Sequence, residues 1–362
     1  MRVTDLRTII VELPLARPTL NSSGVAHDRI RCVLVFLDTD VGVTGESFLF
    51  TNGGRRIEVL ETMVQSLKPA VVGADVRHAE RIWDKLWREL YFLGHKGVTI
   101  FGLAAIDTAL WDAKGKALGA SLTSMLGSAH DRIPVYSSAG LWLSATPDEL
   151  AKEAAGYVAQ GFAGVKMRVG KKHIEEDVER VAAVRKAIGP KVSPMCDAGR
   201  GFTADHAIRL GRKLEAFDLT WYEEPVPPYD HRGSGRVAAA IDTPIASGET
   251  EATRYGFREM LAHGSADIWM ADLGRVGGVS EFIKVAHLAA AHDIAISNHL
   301  FTEPSLSILG AFANATWLEY MPWTAMLYRE RMVIEDGHAV VPDRPGLGFT
   351  FDPDAIERYR VR

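Results

Sequence analysis

The chain has 362 residues, 47% of them apolar and 24% charged, with a formal net charge of −5. It can bury a sizeable core, and this balance excludes a disordered chain, a basic nucleic-acid surface and a polybasic membrane anchor. No apolar run reaches the ~18–20 residues of a membrane span, and two cysteines, Cys32 and Cys196, build neither a disulfide framework nor a multi-cysteine metal cluster. The opening MRVTDLRTIIVELPL carries charges within its apolar stretch and alternates like a strand, so it does not read as a secretory signal. The default compartment is therefore cytoplasmic.

In chain order, Val3–Leu13 and Arg31–Asp38 read as strands, and a turn at Val41–Gly45 leads into Glu46–Phe50. Arg17–Asp28, with Pro18, Asn21, Ser22, Ser23 and Gly24, has the composition of a mobile loop. Helical patterns follow over Arg56–Leu67, His78–Trp87 and Gly102–Leu118, which predicts an α+β domain. From about Arg132 short β-rich runs alternate with helices. The runs are Pro134–Ser138, Gly164–Val169, Val192–Asp197, Thr220–Glu224, Ile245–Glu249, Asp267–Asp272, Ala295–His299 and Thr316–Tyr320. Helices are predicted over Pro147–Gln160, Ile174–Ile188, Ala204–Leu214, Arg254–His263 and Ser280–His292. The series fits a β/α barrel of about 200 residues. A doubly wound sheet would carry a Gly-rich phosphate turn after its first strand, and none is present; GRVGG at 274–278 alone is weak evidence for phosphate. The resulting division is 1–128, an α+β capping domain; 129–330, the barrel; and 331–362, a segment returning to the cap.

Nearly every barrel run ends in an ionisable residue: Lys166 and Arg168, Asp197, Glu223 with Glu224, Glu249, Asp272, His299 and Glu319. Strand carboxyl ends of a barrel open into one shared site, where gathered charges must be paired or hold a metal. Asp197, Glu223 and Glu249 come from three successive strands, and an all-oxygen donor set favours Mg²⁺ over zinc. The alternative for the three is a set of salt-bridged carboxylates. Glu224 and Cys196 alternate away from the site. Asp272 and His299 end neighbouring strands; a carboxylate beside imidazole fixes its tautomer and makes a usable base. Glu319, if kept protonated, would donate to a developing oxyanion.

GESFLF, GVKMR, MCDAG, WYEEP, SGE, MADLGRVGG, SNHLFTE and WLEY occur in this order. With these motifs the chain resembles the enolase superfamily, specifically its mandelate racemase subgroup. The resemblance covers essentially the whole sequence. It implies a modified TIM barrel, (β/α)7β, with an N-terminal α+β capping domain. It also implies Mg²⁺ on Asp197, Glu223 and Glu249, and an Asp272–His299 general base. Lys166 and Glu319 would lie near the substrate carboxylate, and Ser138 would help to hold the substrate. A homo-oligomer acting on a small carboxylate follows from the same likeness.

Two departures matter. The subgroup's second lysine, the opposite-face base, is replaced by Arg168, whose guanidinium stays protonated but can hold a carboxylate or hydroxyl. Gly199 stands where the pattern has a polar residue. With one base left, the preferred expectation is β-elimination of water from an aldonate or aldarate, giving a 2-keto-3-deoxy acid. The rival is a racemase, epimerase or lactone cycloisomerase, for which Phe48, Leu49, Phe50, Trp142 and Trp323 would line a less polar pocket. A non-catalytic binding relative would have lost ligands or base, and all are present.

Overall fold

The computed structural model describes residues 1–20 and 26–361. Its first strands, β1 (Val3–Leu20), β2 (Ala26–Thr39) and β3 (Thr44–Asn52), form an antiparallel sheet in sequential order. In β2 the run Cys32–Leu37 is apolar without interruption because both faces are covered. Val33, Val35 and Leu37 face a helical layer, whereas Cys32, Leu34 and Phe36 join the core shared with the barrel. The layer comprises helices Ile57–Ser66, Ala79–Glu89 and Val98–Leu118. The last is apolar on all sides and buried along most of its length, as a helix enclosed by neighbours must be. Arg17–Leu20 and Ala26–Asp28 belong to β1 and β2, contrary to the predicted loop; Asn21, Ser22, Ser23 and Gly24 lie outside the described residues.

The barrel strands are β4 (Arg132–Ser137), β5 (Gly164–Arg168), β6 (Ser193–Asp197), β7 (Trp221–Glu223), β8 (Ile245–Ser247), β9 (Ile268–Asp272), β10 (Ala295–His299) and β11 (Ala315–Tyr320). Each pairs in parallel with the next, and β11 closes onto β4 through Leu318↔Val135, Glu319↔Tyr136 and Tyr320↔Ser137. Every connection from β4 to β11 is helical, so the architecture is a (β/α)7β barrel with a separate α+β cap. Tyr136, Met195, Trp221, Ala246 and Met270 plug the barrel interior. Each such buried apolar side chain contributes roughly 1.5–3 kcal/mol relative to exposure. The polar strand ends therefore sit on a dry floor.

Past the barrel, β12 (Ile334–Glu335) and β13 (His338–Val340) form a hairpin that adds antiparallel to the start of β4. The chain then crosses to the cap. Leu347 N–H donates to Asp112 Oδ1 (2.8 Å), and Phe351 N–H donates to Glu46 Oε2 (3.1 Å). Buried Asp112 also pairs with Lys116 Nζ at 2.7 Å and accepts from Glu46 N–H at 2.8 Å, knotting β3, helix Val98–Leu118 and this tail together. Val361 N–H closes onto Ile10 O at 2.9 Å. No helix among the described residues is long and apolar enough to cross a membrane.

Candidate active site

Strand register assembles the site. Arg168 is the partner of Asp197 and Asp197 of Glu223, so three strand ends stand side by side; Asp272 likewise pairs with His299. Glu249 lies two residues past β8, and Glu319 is the penultimate residue of β11. These residues surround a cavity of ≈ 330 Å³ at the barrel mouth, roofed by His27, Phe50, Thr51 and Asn52 of the cap. Glu223 is fully buried beneath it.

His299 and Asp272 form a close pair: Nδ1 lies 2.7 Å from Asp272 Oδ2. With a carboxylate acceptor Nδ1–H donates, which leaves the Nε2 lone pair free to take a proton. Burial would lower the imidazole pKa, but Glu249 and Asp272 outweigh it and raise it. Arg275 N–H donates to Asp272 Oδ1 at 2.9 Å and fixes that carboxylate's rotamer.

Lys166 lies buried between Glu223 Oε1 (2.6 Å) and Glu319 Oε1 (2.9 Å), over the Tyr136 ring. Desolvation opposes its charge, yet the two carboxylates raise its pKa well above the usual lysine value. Glu319 accepts from Leu300 N–H at 2.6 Å. Burial would raise its pKa, but Lys166, His299 and this N–H hold it down to about 2. As placed, both of its oxygens accept, Oε1 from Lys166 and Oε2 from Leu300 N–H.

Arg168 is tied to the loop after β4. Its Nη1 donates to Ser138 O (2.9 Å) and Gly140 O (3.0 Å), Nη2 to Ser138 Oγ (2.9 Å), and the guanidinium stacks on Trp142. Ser138 is fully buried. The Arg168 and Ser138 side chains thus engage each other, and Arg168 also lines the cavity.

Asp197 Oδ1 accepts from Gly199 N–H at 2.7 Å, while Oδ2 lies 3.6 Å from Arg168 Nε. Gly199 has φ +53°, a conformation that accounts for glycine at this position. Glu223 also accepts from Trp221 Nε1 (3.0 Å), and burial with the neighbouring carboxylates raises its pKa despite Lys166. Glu249 lies 3.4 Å from His299 Nε2 and 3.5 Å from Arg200 Nη1. Burial opposes its ionisation, but these cations and Arg275 lower its pKa to about 2.

Among the described residues no three His, Cys, Asp or Glu side chains stand at ready-made metal-ligand spacing. Glu223 is drawn to Lys166, and Glu249 to His299 and Arg200. The donor chemistry nevertheless fits a hard divalent cation: carboxylates crowd three adjacent strand ends, and Glu223 is poorly served as an anion without further positive charge. Glu224 turns away, as expected; its Oε1 accepts from Ser247 Oγ and Gly248 N–H. Buried Cys196 has its thiol pKa raised by desolvation, which disfavours a nucleophile.

Sequence reasoning missed Arg200 and Arg275 on the cavity wall, whereas His27 lies in the Arg17–Asp28 stretch that the family resemblance places over the barrel. Arg275 lies inside GRVGG, but that loop packs rather than binds phosphate: Gly278 has φ +86°, and a Cβ there would lie 2.6 Å from Asp107 Oδ2. Phe50, Trp142 and Trp323 do line the cavity, while Phe48 and Leu49 pack in the core.

Residues 4–127 match the model of the mandelate racemase / muconate lactonizing enzyme N-terminal domain, and residues 149–355 match the enolase C-terminal domain-like model. The L-talarate/galactarate dehydratase of Salmonella typhimurium is 31% identical over 98% of this chain and 90% of its own length. The 3,6-anhydro-alpha-L-galactonate cycloisomerase of Streptomyces coelicolor is 32% identical over 99% of each. The crystal structure of L-talarate dehydratase from Polaromonas sp. JS666, complexed with Mg and L-glucarate, superposes with TM-score 0.94 at 32% identity, covering 100% of this chain and 98% of that one. With both domains matched and such relatives similar along their full length, the chain belongs to the mandelate racemase/muconate lactonizing enzyme family of the enolase superfamily.

Proposed function

We propose that this protein is an acid-sugar dehydratase: it abstracts the α-proton of a hydroxy carboxylate and expels the β-hydroxyl as water. The observation that carries the reading is one-sidedness. His299 is set up as a base by a 2.7 Å bond to Asp272. The position two past Lys166 holds an arginine fastened to two backbone carbonyls, which does not serve as a second base. Inversion with a base on each face is thereby disfavoured, whereas elimination needs only one.

His299 Nε2 takes the α-proton. Lys166, beside the substrate carboxylate, offsets the charge that develops there. The imidazolium then returns its proton to the departing β-hydroxyl, water leaves, and the enol tautomerises to a 2-keto-3-deoxy acid. Asp197, Glu223 and Glu249 are the residues that would hold Mg²⁺, which when bound supplies Lewis-acid stabilisation of negative charge on the carboxylate. The dehydratase names and the Mg-containing structure among the relatives support this assignment.

Cycloisomerisation, the activity in the names of two relatives, also runs with one base. Incubation with Mg²⁺ and an acid-sugar panel, read by a 2-keto acid assay, distinguishes the two. Exchange of the α-proton in D₂O with no keto acid formed sinks the dehydratase reading. The family likeness also supports a homo-oligomer in the cytoplasm. Light scattering tests the assembly, and a monomer would refute it; cell fractionation tests the compartment.

A further inference from the structure

We propose that the substrate carries a single carboxylate and a neutral hydroxylated tail, an aldonate rather than an aldarate; the inference rests on the dehydratase reading. Its ground is the distribution of charge around the cavity. Among the described lining residues four cations, Lys166, Arg168, Arg200 and Arg275, meet four carboxylates, Asp197, Glu249, Asp272 and Glu319. With the two charges of Mg²⁺ on Asp197, Glu223 and Glu249, the six positive charges of the site exceed its five carboxylates, Glu223 included, by one, which a single substrate carboxylate balances. Lys166 lies between Glu223 and Glu319. Arg168 is spent on Ser138 and Gly140 and stands 3.6 Å from Asp197. Arg200 lies 3.5 Å from Glu249, and Arg275 lies 3.6 Å from Asp272 while donating to Glu249 O at 2.8 Å.

The capping side chains described on the cavity wall, where a substrate tail must end, include no lysine or arginine. It presents His27, Thr51 and Asn52 beside the aromatic wall of Phe50 and Trp323. Arg55 and Arg56 follow shortly after Asn52, but they are exposed and do not line the cavity. Hydroxyls can exchange hydrogen bonds with threonine, asparagine and imidazole side chains without bringing in further charge. A second carboxylate would leave the site with one negative charge more than it can balance.

The experiment offers the Mg²⁺-loaded protein matched pairs of equal chain length, galactonate with galactarate, gluconate with glucarate and xylonate with xylarate, and reads 2-keto acid. The expected result is kcat/KM for the accepted aldonate at least about tenfold above its diacid, since an uncompensated charge is a strong discriminator. Diacids turned over as well as or better than monoacids overturn the inference while leaving dehydration in place. Keto acid from neither class overturns the dehydratase reading, and binding then decides the inference. Both classes are titrated by calorimetry into the His299→Asn protein with Mg²⁺. Tighter binding of the diacid, or binding of neither, overturns it. Asn52→Lys is expected to shift the diacid-to-monoacid ratio of kcat/KM upward by about tenfold. An unchanged ratio would show that the tail does not reach this wall.

Discussion

Lys166 has two carboxylates within 3 Å and almost no contact with water, so removing the lysine leaves both of them buried without their shared cation. His299 has a different standing. Its partner Asp272 is also held by Arg275 N–H, so the ring can be replaced without collapse. His299→Asn is expected to lower kcat by about 10²–10⁴-fold with Mg²⁺ binding retained; substantial residual turnover would move the base to Lys166. Arg168→Lys cannot reproduce the fork onto Ser138 and Gly140, and should cost about 1–3 kcal/mol in urea unfolding. Unchanged stability with a raised KM would instead make Arg168 a substrate ligand. The carboxylates and His299 were legible because a barrel fixes where strand ends point. Arg200 and Arg275 were not, because an arginine just beyond a strand looks like surface until the neighbouring loop is seen to fold over it.

At the scale of elements, the joint between helix Val98–Leu118 and the loop after β9 is the most constrained. Asp107 accepts from Ser280 N–H (2.8 Å) and Ser280 Oγ–H (2.6 Å), and so caps the helix Val279–Ala290 from outside. Burial raises the Asp107 pKa from 3.8 to about 7 against the pull of these bonds. A carboxyl raised on folding binds its proton more tightly in the folded chain. Its stabilisation is full below the unfolded value and is lost as pH climbs through about 7. Asp107→Asn cannot titrate, so its unfolding free energy should gain on the natural protein by up to about 1.4 kcal/mol per pH unit across that window. A flat difference curve would mean that Ser280 keeps Asp107 ionised throughout. Gly278→Ala, with φ +86° and Asp107 in the way, should destabilise by roughly 2 kcal/mol or more in the same assay. Helix Ile174–Ile188 and strand Ala295–His299 were readable to the residue, since local periodicity decides them. The extension of β1 and β2 was not. Arg17–Asp28 is rich in turn-forming residues, and only cross-strand pairs such as Thr19↔His27 make its flanks extended.

For the whole molecule, the site lies where cap and barrel meet, and Phe50 packs at 5.3 Å from Phe301 and 6.3 Å from Trp323 across that seam. Mg²⁺ drawn to the crowded carboxylates should stabilise the folded chain by mass action, about 2.7 kcal/mol at a hundredfold excess over Kd. Stripping the protein with a chelator is expected to lower Tm, and adding Mg²⁺ to restore it; calorimetric scans insensitive to either would refute the carboxylate assignment. The tail adds a consequence in time. Ile10, in the first strand of the cap, bonds to Val361, so this sheet edge is completed only by a segment that follows the whole barrel in the chain. A growing chain therefore meets a stage at which the barrel strands have left the ribosome while the roof of the site is still unfastened. The cap therefore gains its last fastening only after the barrel, and the two are expected to reach their final stability together rather than in the order of translation.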